Sequence, residues 1–315
     1  GAGNNDVNIL IHIAADHKSI SVISFPRDLE IPIPACPTAS GGTSYASSKA
    51  MLNTALSRGG DDAHGLSCAV LTIESLTGLN IPYAASVTFE GTSAISTAVG
   101  GVHVCLATAI VDDNVIPALN LAAGEQTLVG PTALSFLRSR HGVGDGSDLG
   151  RISNQQVFMS SLARQLVSGG TLANPFKLYA IAKAATENMR LSDTLNVSTL
   201  LGIFEAVRTV GLSNMVFAQY PVGEDPDNPN RVVPSVYAAT QLNQALIADQ
   251  PLQLTGTTGD GATSESTSPP ATTTPTTPAT TGTPSTPAGS TTATLPPSVT
   301  GQTAAQTTCS KKLQE

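Results

Sequence analysis

Three arginines, Arg138, Arg140 and Arg151, flank a glycine-rich loop in the stretch RSRHGVGDGSDLGRISNQQ at residues 138–156. The same stretch carries Asp148 and the amide pair Gln155 and Gln156. Residues 131–138 have the pattern of a short helix with Pro131 in its first turn. Three glycines in residues 141–147 let the backbone turn tightly and lie close to a ligand. A second helix is expected from Asp148, a good N-cap residue, with Ile152, Met159, Leu162 and Leu166 as its apolar stripe. Asp148, Arg151 and Gln155 are three and four residues apart, so they share one side of that helix. Guanidiniums gathered at a helix N-terminus suit a phosphate or pyrophosphate. The competing reading is that these arginines are solvated or paired with neighbouring carboxylates.

The elements that must position this stretch follow from hydrophobic patterning. Residues 7–13 form a short, nearly continuous apolar run, as in a strand buried on both faces, with Asp6 just before it. Residues 19–25 are a second strand, expected to pair with the first as a hairpin. Pro26 ends it, and Arg27 and Asp28 follow at the strand end, where functional side chains often sit. Helices are expected over 45–56, placing Lys49 and Asn53 on one face, and over 66–76, 92–99, 174–185, 197–210 and 235–248. Strands are expected over 84–89, 102–106 and 214–220. Asp112 and Asp113 look like a solvated turn, and 221–230 like a polar turn with three prolines. This alternation indicates an α/β class, an α-β-α sandwich around a mixed sheet.

From about Thr255 the composition changes to Thr, Pro, Ser, Ala and Gly, with few large apolar side chains. Such a segment buries too little surface to offset its ordering entropy. The expected division is therefore a folded domain at 1–254 and a disordered tail at 255–315, of the kind found in cell-surface stalks. A net charge of −8 excludes a general nucleic-acid binder, which needs a basic field. No apolar run is long enough to span a membrane. The first residues enter a strand pattern abruptly, so any anchor or signal would precede Gly1. Cys36, Cys68, Cys105 and Cys309 show no CxxC spacing and are too dispersed for a zinc site. Either one disulfide forms among the first three in an oxidising compartment, or the thiols are free and buried.

Taken together, several short motifs resemble the LytR-CpsA-Psr proteins of bacterial cell envelopes, in particular the actinobacterial members. They are SFPRD at 24–28, KAMLNTALSRGG at 49–60, LTIESLTGLNI at 71–81, VGGVHV at 99–104, LAAGEQTLVGPTALSFLRSRH at 121–141 and DLGRISNQQVFM at 148–159. The resemblance runs from about residue 6 to 168 and more weakly to about 250. It implies a phosphotransferase that moves a glycopolymer from a polyprenyl-pyrophosphate carrier onto peptidoglycan, at the extracytoplasmic face of a membrane that family members reach through an N-terminal anchor. By position it implies that Arg27, Arg138, Arg140, Arg151 and Gln155 hold the pyrophosphate. It makes Asp6 a magnesium ligand, Asp148 the catalytic base and Asp28 a companion that orients Arg27. The sequence departs from the family in two places. A further acidic residue of the family's magnesium site would precede Gly1, and Asn154 stands where arginine is usual. A pyrophosphatase acting on the same lipid and a non-catalytic envelope protein are the alternative readings.

Overall fold

The computed structural model describes residues 3–60, 62–168, 174–264 and 292–312. Asn8–Ile13 (β1) and Ile20–Phe25 (β2) form the expected antiparallel hairpin. Every residue of β2 is buried, because the strand lies inside the sheet with a helix-covered core on each side. The two-sided burial expected for β1 does not hold. It is an edge strand, and Ile9 and Ile11 on one of its faces are 40% and 60% exposed.

Glu30–Ile33 (β3) pairs with Ser47–Met51 (β4). The helix expected over 45–56 is therefore mostly a strand, followed by a 3-10 turn at Leu52–Thr54 and one helical turn at Ala55–Arg58 (α1). Pairing with β3 and burial of Leu52 and Ala55 override local helical preference, and Lys49 and Asn53 lie in different elements. Next come Asp62–Thr77 (α2), Ala85–Val87 (β5), Phe89–Ala98 (α3) and Val102–Leu106 (β6), as the patterning predicts. Ile110–Asp112 (β7), Leu119–Leu121 (β8) and Gly124–Leu128 (β9) lead into Gly130–Arg138 (α4) and Asp148–Ser168 (α5).

Pro175–Asn188 (α6), Met189–Leu191 (β10), Val197–Thr209 (α7) and Met215–Gln219 (β11) follow. The expected polar turn at 221–230 is a hairpin of Val222–Asp225 (β12) and Asn228–Pro234 (β13). Its prolines are compatible because they sit at the turn and on an outer strand. Val236–Ile247 (α8) closes this part of the chain.

The disordered tail expected from 255 onward is corrected at both ends. Beyond Leu252–Gln253 (β14), the chain forms Ala262–Ser264 (β15), Ala293–Thr294 (β16), Gly301–Thr303 (β17) and Thr308–Ser310 (β18). Strand β17 extends the first sheet, in the order β1-β2-β11-β17, and β18 enters the second, in the order β15-β18-β6-β9. The small side chains of this segment suit strands packed closely on other backbone. Residues 265–291 and 313–315 lie outside the described residues.

Helices α2 and α8 cover one face of the first sheet with Ile23, Leu242 and Leu246 at the contact. Helix α5 lies on the opposite face, against Val22, Met215 and Phe217, and also packs on the second sheet through Phe158. It is the shared centre of the two sheets. Two disulfides brace the frame, Cys36–Cys68 and Cys105–Cys309. One disulfide thus forms among the first three cysteines, and the third, Cys105, pairs with Cys309, which ties β18 to β6 across 204 residues.

Candidate active site

Asp148 stands at the first residue of α5, where a carboxylate is favoured by the unpaired amides of the helix end. The cap itself is Ser147, whose Oγ accepts from the Gly150 amide at 3.1 Å. The loop before it is held by close backbone contact. Gly144 has a φ of +54°, and a Cβ there would come within 2.8 Å of the Gly150 Cα. Gly144 also donates to the Lys311 carbonyl at 3.0 Å, so the C-terminal segment supports the loop.

The Asp148 carboxylate is buried and gathers three parts of the chain. Its Oδ1 accepts from Arg140 Nη2 at 2.7 Å and Arg151 Nη2 at 2.6 Å, and its Oδ2 accepts from the Arg27 amide at 3.1 Å. Arg27 Nη1 donates to Asp6 Oδ1 at 2.6 Å, and Arg151 Nη2 to the Asp6 carbonyl at 2.7 Å. Asp28 lies 3.7 Å from Arg27 Nε and 3.7 Å from Arg140 Nη2. Residues 6, 27, 28, 140, 148 and 151, predicted from separate motifs, therefore converge. Burial lowers the pKa of Arg151, with Asp148 opposing and Arg140 and Arg27 reinforcing the shift. Burial also pulls Arg27 down, but its bond to Asp6 and the charges of Asp28, Asp6 and Asp148 leave it raised.

The network is incomplete. The Nε–H groups of Arg27, Arg140 and Arg151 are buried with no hydrogen-bond acceptor among the described residues. An unmade buried bond costs on the order of 1–3 kcal/mol. A ligand with several anionic oxygens is the partner that would complete these forks.

Two residues expected at this cluster lie elsewhere. Arg138 is exposed at the end of α4, with its guanidinium 4.2 Å from the centre of the Phe89 ring. Gln155 is buried and donates through Nε2 to the Leu137 carbonyl at 2.9 Å. Its neighbour Asn154 donates to the Phe136 carbonyl at 2.9 Å, so the two amides cap the orphan carbonyls at the end of α4. Asn154 Oδ1 also accepts from Ser310 Oγ at 2.5 Å. An arginine has no acceptor atom, so it could not make this second bond.

Asp112 is buried rather than solvated, and its Oδ2 accepts from Ser139 Oγ at 2.6 Å, between Arg138 and Arg140. Burial alone would raise its pKa, but hydrogen bonds from Ser139, Asn114 and the Gly142 amide hold it below the ordinary value. Arg231 was not singled out by the sequence. It comes from β13 and lies 3.7 Å from Asp28 and 4.0 Å from Glu30. No local spacing signals it, because hairpin pairing brings it to the site. Aliphatic surface adjoins the charged cluster: Val7, Ile9 and Ile11 run from Asp6 along β1, all at least 40% exposed.

Helices on both faces of a mixed sheet, with guanidiniums assembled at the start of the central helix, define an α/β domain with a basic cluster at its centre. The LytR_cpsA_psr family matches residues 1–249, and the chain belongs to it. It is 32% identical over 230 residues to the cell wall biosynthesis protein LcpA of Corynebacterium glutamicum, covering 70% of this chain and 43% of that protein. It is 28% identical over 192 residues to the polyisoprenyl-teichoic acid–peptidoglycan teichoic acid transferase TagV of Bacillus subtilis, covering 59% of this chain and 44% of that protein. The chain thus spans less than half the length of these two relatives. The TagV crystal structure superposes with a TM-score of 0.59 at 22% identity, over 78% of this chain and 89% of that one. A LytR-Csp2A-Psr enzyme from Actinomyces oris gives 0.60 at 20% identity, over 77% and 85%. Both share the fold.

Proposed function

We propose that the protein is a phosphotransferase that moves a glycopolymer from a polyprenyl-pyrophosphate carrier onto peptidoglycan, outside the cytoplasmic membrane. The observation that carries this reading is the convergence of the Arg140 and Arg151 guanidiniums and the Arg27 amide on Asp148, with buried Nε–H donors of all three arginines that have no hydrogen-bond acceptor among the described residues. A pyrophosphate supplies oxygens for those donors. The aliphatic side chains of Val7, Ile9 and Ile11, continuous with the cluster, suit the prenyl chain of the same molecule. The names of LcpA and TagV support cell-wall polymer transfer. The two disulfides suit an oxidising, extracytoplasmic compartment. Among the described residues no helix is long and apolar enough to cross a membrane, and attachment through a preceding N-terminal anchor is part of the proposal.

In this mechanism Arg27, Arg140 and Arg151 hold the pyrophosphate. When Arg140 turns from Asp148 to a phosphate oxygen, Asp148 Oδ1 becomes available to accept a proton from the attacking sugar hydroxyl. The hydroxyl oxygen bonds to the phosphorus nearer the glycan, and the bond from that phosphorus to the bridging oxygen breaks. Polyprenyl phosphate leaves. Arg138 lies at the exposed end of α4 and would reach the ligand by leaving the Phe89 ring. Gln155 would act through α4, by fixing the turn that carries the arginines. Magnesium fits one arrangement. No cluster of three His, Cys, Asp or Glu able to cage a metal exists among the described residues, but Asp6 offers hard oxygens beside the site. That is the donor set of an ion held by one carboxylate and substrate phosphates. When bound, it supplies neutralisation of charge on the leaving phosphate.

The test is incubation of the protein with a lipid-pyrophosphate-linked glycan, magnesium and peptidoglycan. The expected product is glycan covalently attached to peptidoglycan, with polyprenyl phosphate released. Release of free glycan phosphate without attachment would assign a hydrolase instead. No turnover, unchanged by Asp148→Ala, would assign a non-catalytic binding protein.

A further inference from the structure

We propose that Arg231, with Asp28 and Glu30, forms the subsite for the first sugar of the donor, adjoining the pyrophosphate. The inference rests on the phosphotransferase reading and deepens it. Its basis is the order of ion pairs around the site. Arg27 joins Asp6 to Asp28, at 2.6 and 3.7 Å, and Arg231 meets Asp28 from the β12–β13 hairpin at 3.7 Å. Among the described residues Arg231 pairs with Asp28 and Glu30, and with neither Asp6 nor Asp148. The aliphatic side chains begin at the other end of this series, at Val7 beside Asp6. A ligand with its prenyl chain along β1 and its pyrophosphate at Arg27 therefore directs its glycan towards Arg231.

The position of Arg231 is fixed by backbone, and its head group makes no direct hydrogen bond to either carboxylate it faces. The amide of Val232 donates to the Asp28 carbonyl at 3.4 Å, and Val232 bridges Leu29. Lys49 anchors the hairpin to the neighbouring strands through Asp225 at 2.8 Å, Asp227 at 2.9 Å and Glu30 at 3.4 Å. The guanidinium donates through Nη1 to the Asn230 carbonyl at 3.1 Å, faces Asp28 and Glu30 at 3.7 and 4.0 Å, beyond direct hydrogen-bond length, and is partly exposed. A sugar presents hydroxyls that both donate and accept. Two carboxylates and a partly exposed guanidinium provide acceptors and a planar donor for such a ring. The self-contained alternative, a surface ion pair, predicts no effect on ligand choice.

The experiment compares two probes, farnesyl pyrophosphate and farnesyl pyrophosphate carrying N-acetylglucosamine, by calorimetry on the full chain. Wild type should bind both, and the sugar-bearing probe more tightly. In Arg231→Ala the ratio of the two dissociation constants should fall about tenfold, with Arg231→Lys in between because charge remains but the fork is lost. A thermal melt close to wild type for Arg231→Lys separates recognition from folding. Equal weakening towards both probes would make Arg231 a general phosphate contact and overturn the sugar subsite. An unchanged ratio would reduce it to a surface pair and overturn it too. Failure of wild type to bind farnesyl pyrophosphate at all is a different outcome, and would remove the phosphotransferase reading on which the subsite depends.

Discussion

The two halves of helix α5 bury polar side chains to opposite ends. In the first turn, Asp148 and Arg151 are charged, and the arginines gathered there keep donors with no hydrogen-bond acceptor among the described residues. Further along, Asn154, Gln155 and Ser160 are just as buried, and their side chains bond within the protein. Gln156 Nε2 has no hydrogen-bond partner among the described residues but lies away from the charged cluster. Asn154 joins the end of α4 to Ser310, Gln155 holds the Leu137 carbonyl, and Gln302 from β17 donates to the Gln156 carbonyl at 2.9 Å and to Ser160 Oγ at 2.7 Å. Burial of a polar residue thus does not mark a binding group. The distinction is whether its hydrogen-bonding capacity is spent inside the fold or left over at a charged opening.

This contrast predicts where substitutions act. The largest effect on stability is expected from Cys309→Ser, which releases β18 from β6. In the chain-entropy view, a crosslink closing a loop of 204 residues stabilises by about 5 kcal/mol. Chemical denaturation should show a loss of that order, and an unchanged midpoint would mean that the C-terminal segment does not brace α5. Arg151→Ala comes next, since it leaves Asp148 short of a buried partner. Breaking such a pair costs roughly 3–5 kcal/mol, and pyrophosphate turnover should disappear even in the folded fraction. Activity normalised to folded protein, followed by circular dichroism, checks this.

Asn154→Ala should behave in the opposite way. It leaves the Phe136 carbonyl and the Ser310 hydroxyl unpaired, at a cost of about 1–3 kcal/mol for each group. Stability should fall while prenyl-pyrophosphate affinity per folded molecule stays within about twofold. A selective loss of affinity would place Asn154 in the binding half. A smaller effect concerns Asp112, whose carboxyl is held below its ordinary value of 3.8. A depressed carboxyl contributes stability that is full above the unfolded pKa and is lost as pH falls through the folded one. The stability gap between wild type and Asp112→Asn should therefore be constant from pH 7 to about pH 5 and shrink below about pH 4. A gap independent of pH down to acid unfolding would contradict the Ser139 and Asn114 bonds.

Much of this arrangement was legible in the sequence. Strand β6 and helices α2, α3, α6, α7 and α8 follow from periodicity, because each buries a regular stripe against a sheet or a neighbouring helix. Arg27, Arg140, Asp148 and Arg151 were found through a loop rich in glycine and a strand end. The departures have tertiary causes. Lys49 lies on a strand because β3 pairs there, and its ammonium is claimed by carboxylates from a hairpin far along the chain. Gln155 shares the spacing of Arg151 but turns to α4 rather than to the opening. The Thr-rich segment orders at 292–312 because sheet edges and Cys105 supply partners that its composition does not reveal. Arg231 leaves no local trace, since only the β12–β13 pairing brings it to Asp28.

The most direct test is calorimetric titration of farnesyl pyrophosphate into wild type, Arg151→Ala and Gln155→Ala, each corrected for its folded fraction. A charged hydrogen bond is worth about 1.5–3 kcal/mol, so Arg151→Ala should weaken binding roughly tenfold to a hundredfold. Gln155→Ala, which reaches the site only through the end of α4, should weaken binding far less, by no more than a few-fold once unfolded protein is discounted. Equal affinities for wild type and Arg151→Ala would contradict the proposal that this end of α5 is the pyrophosphate site.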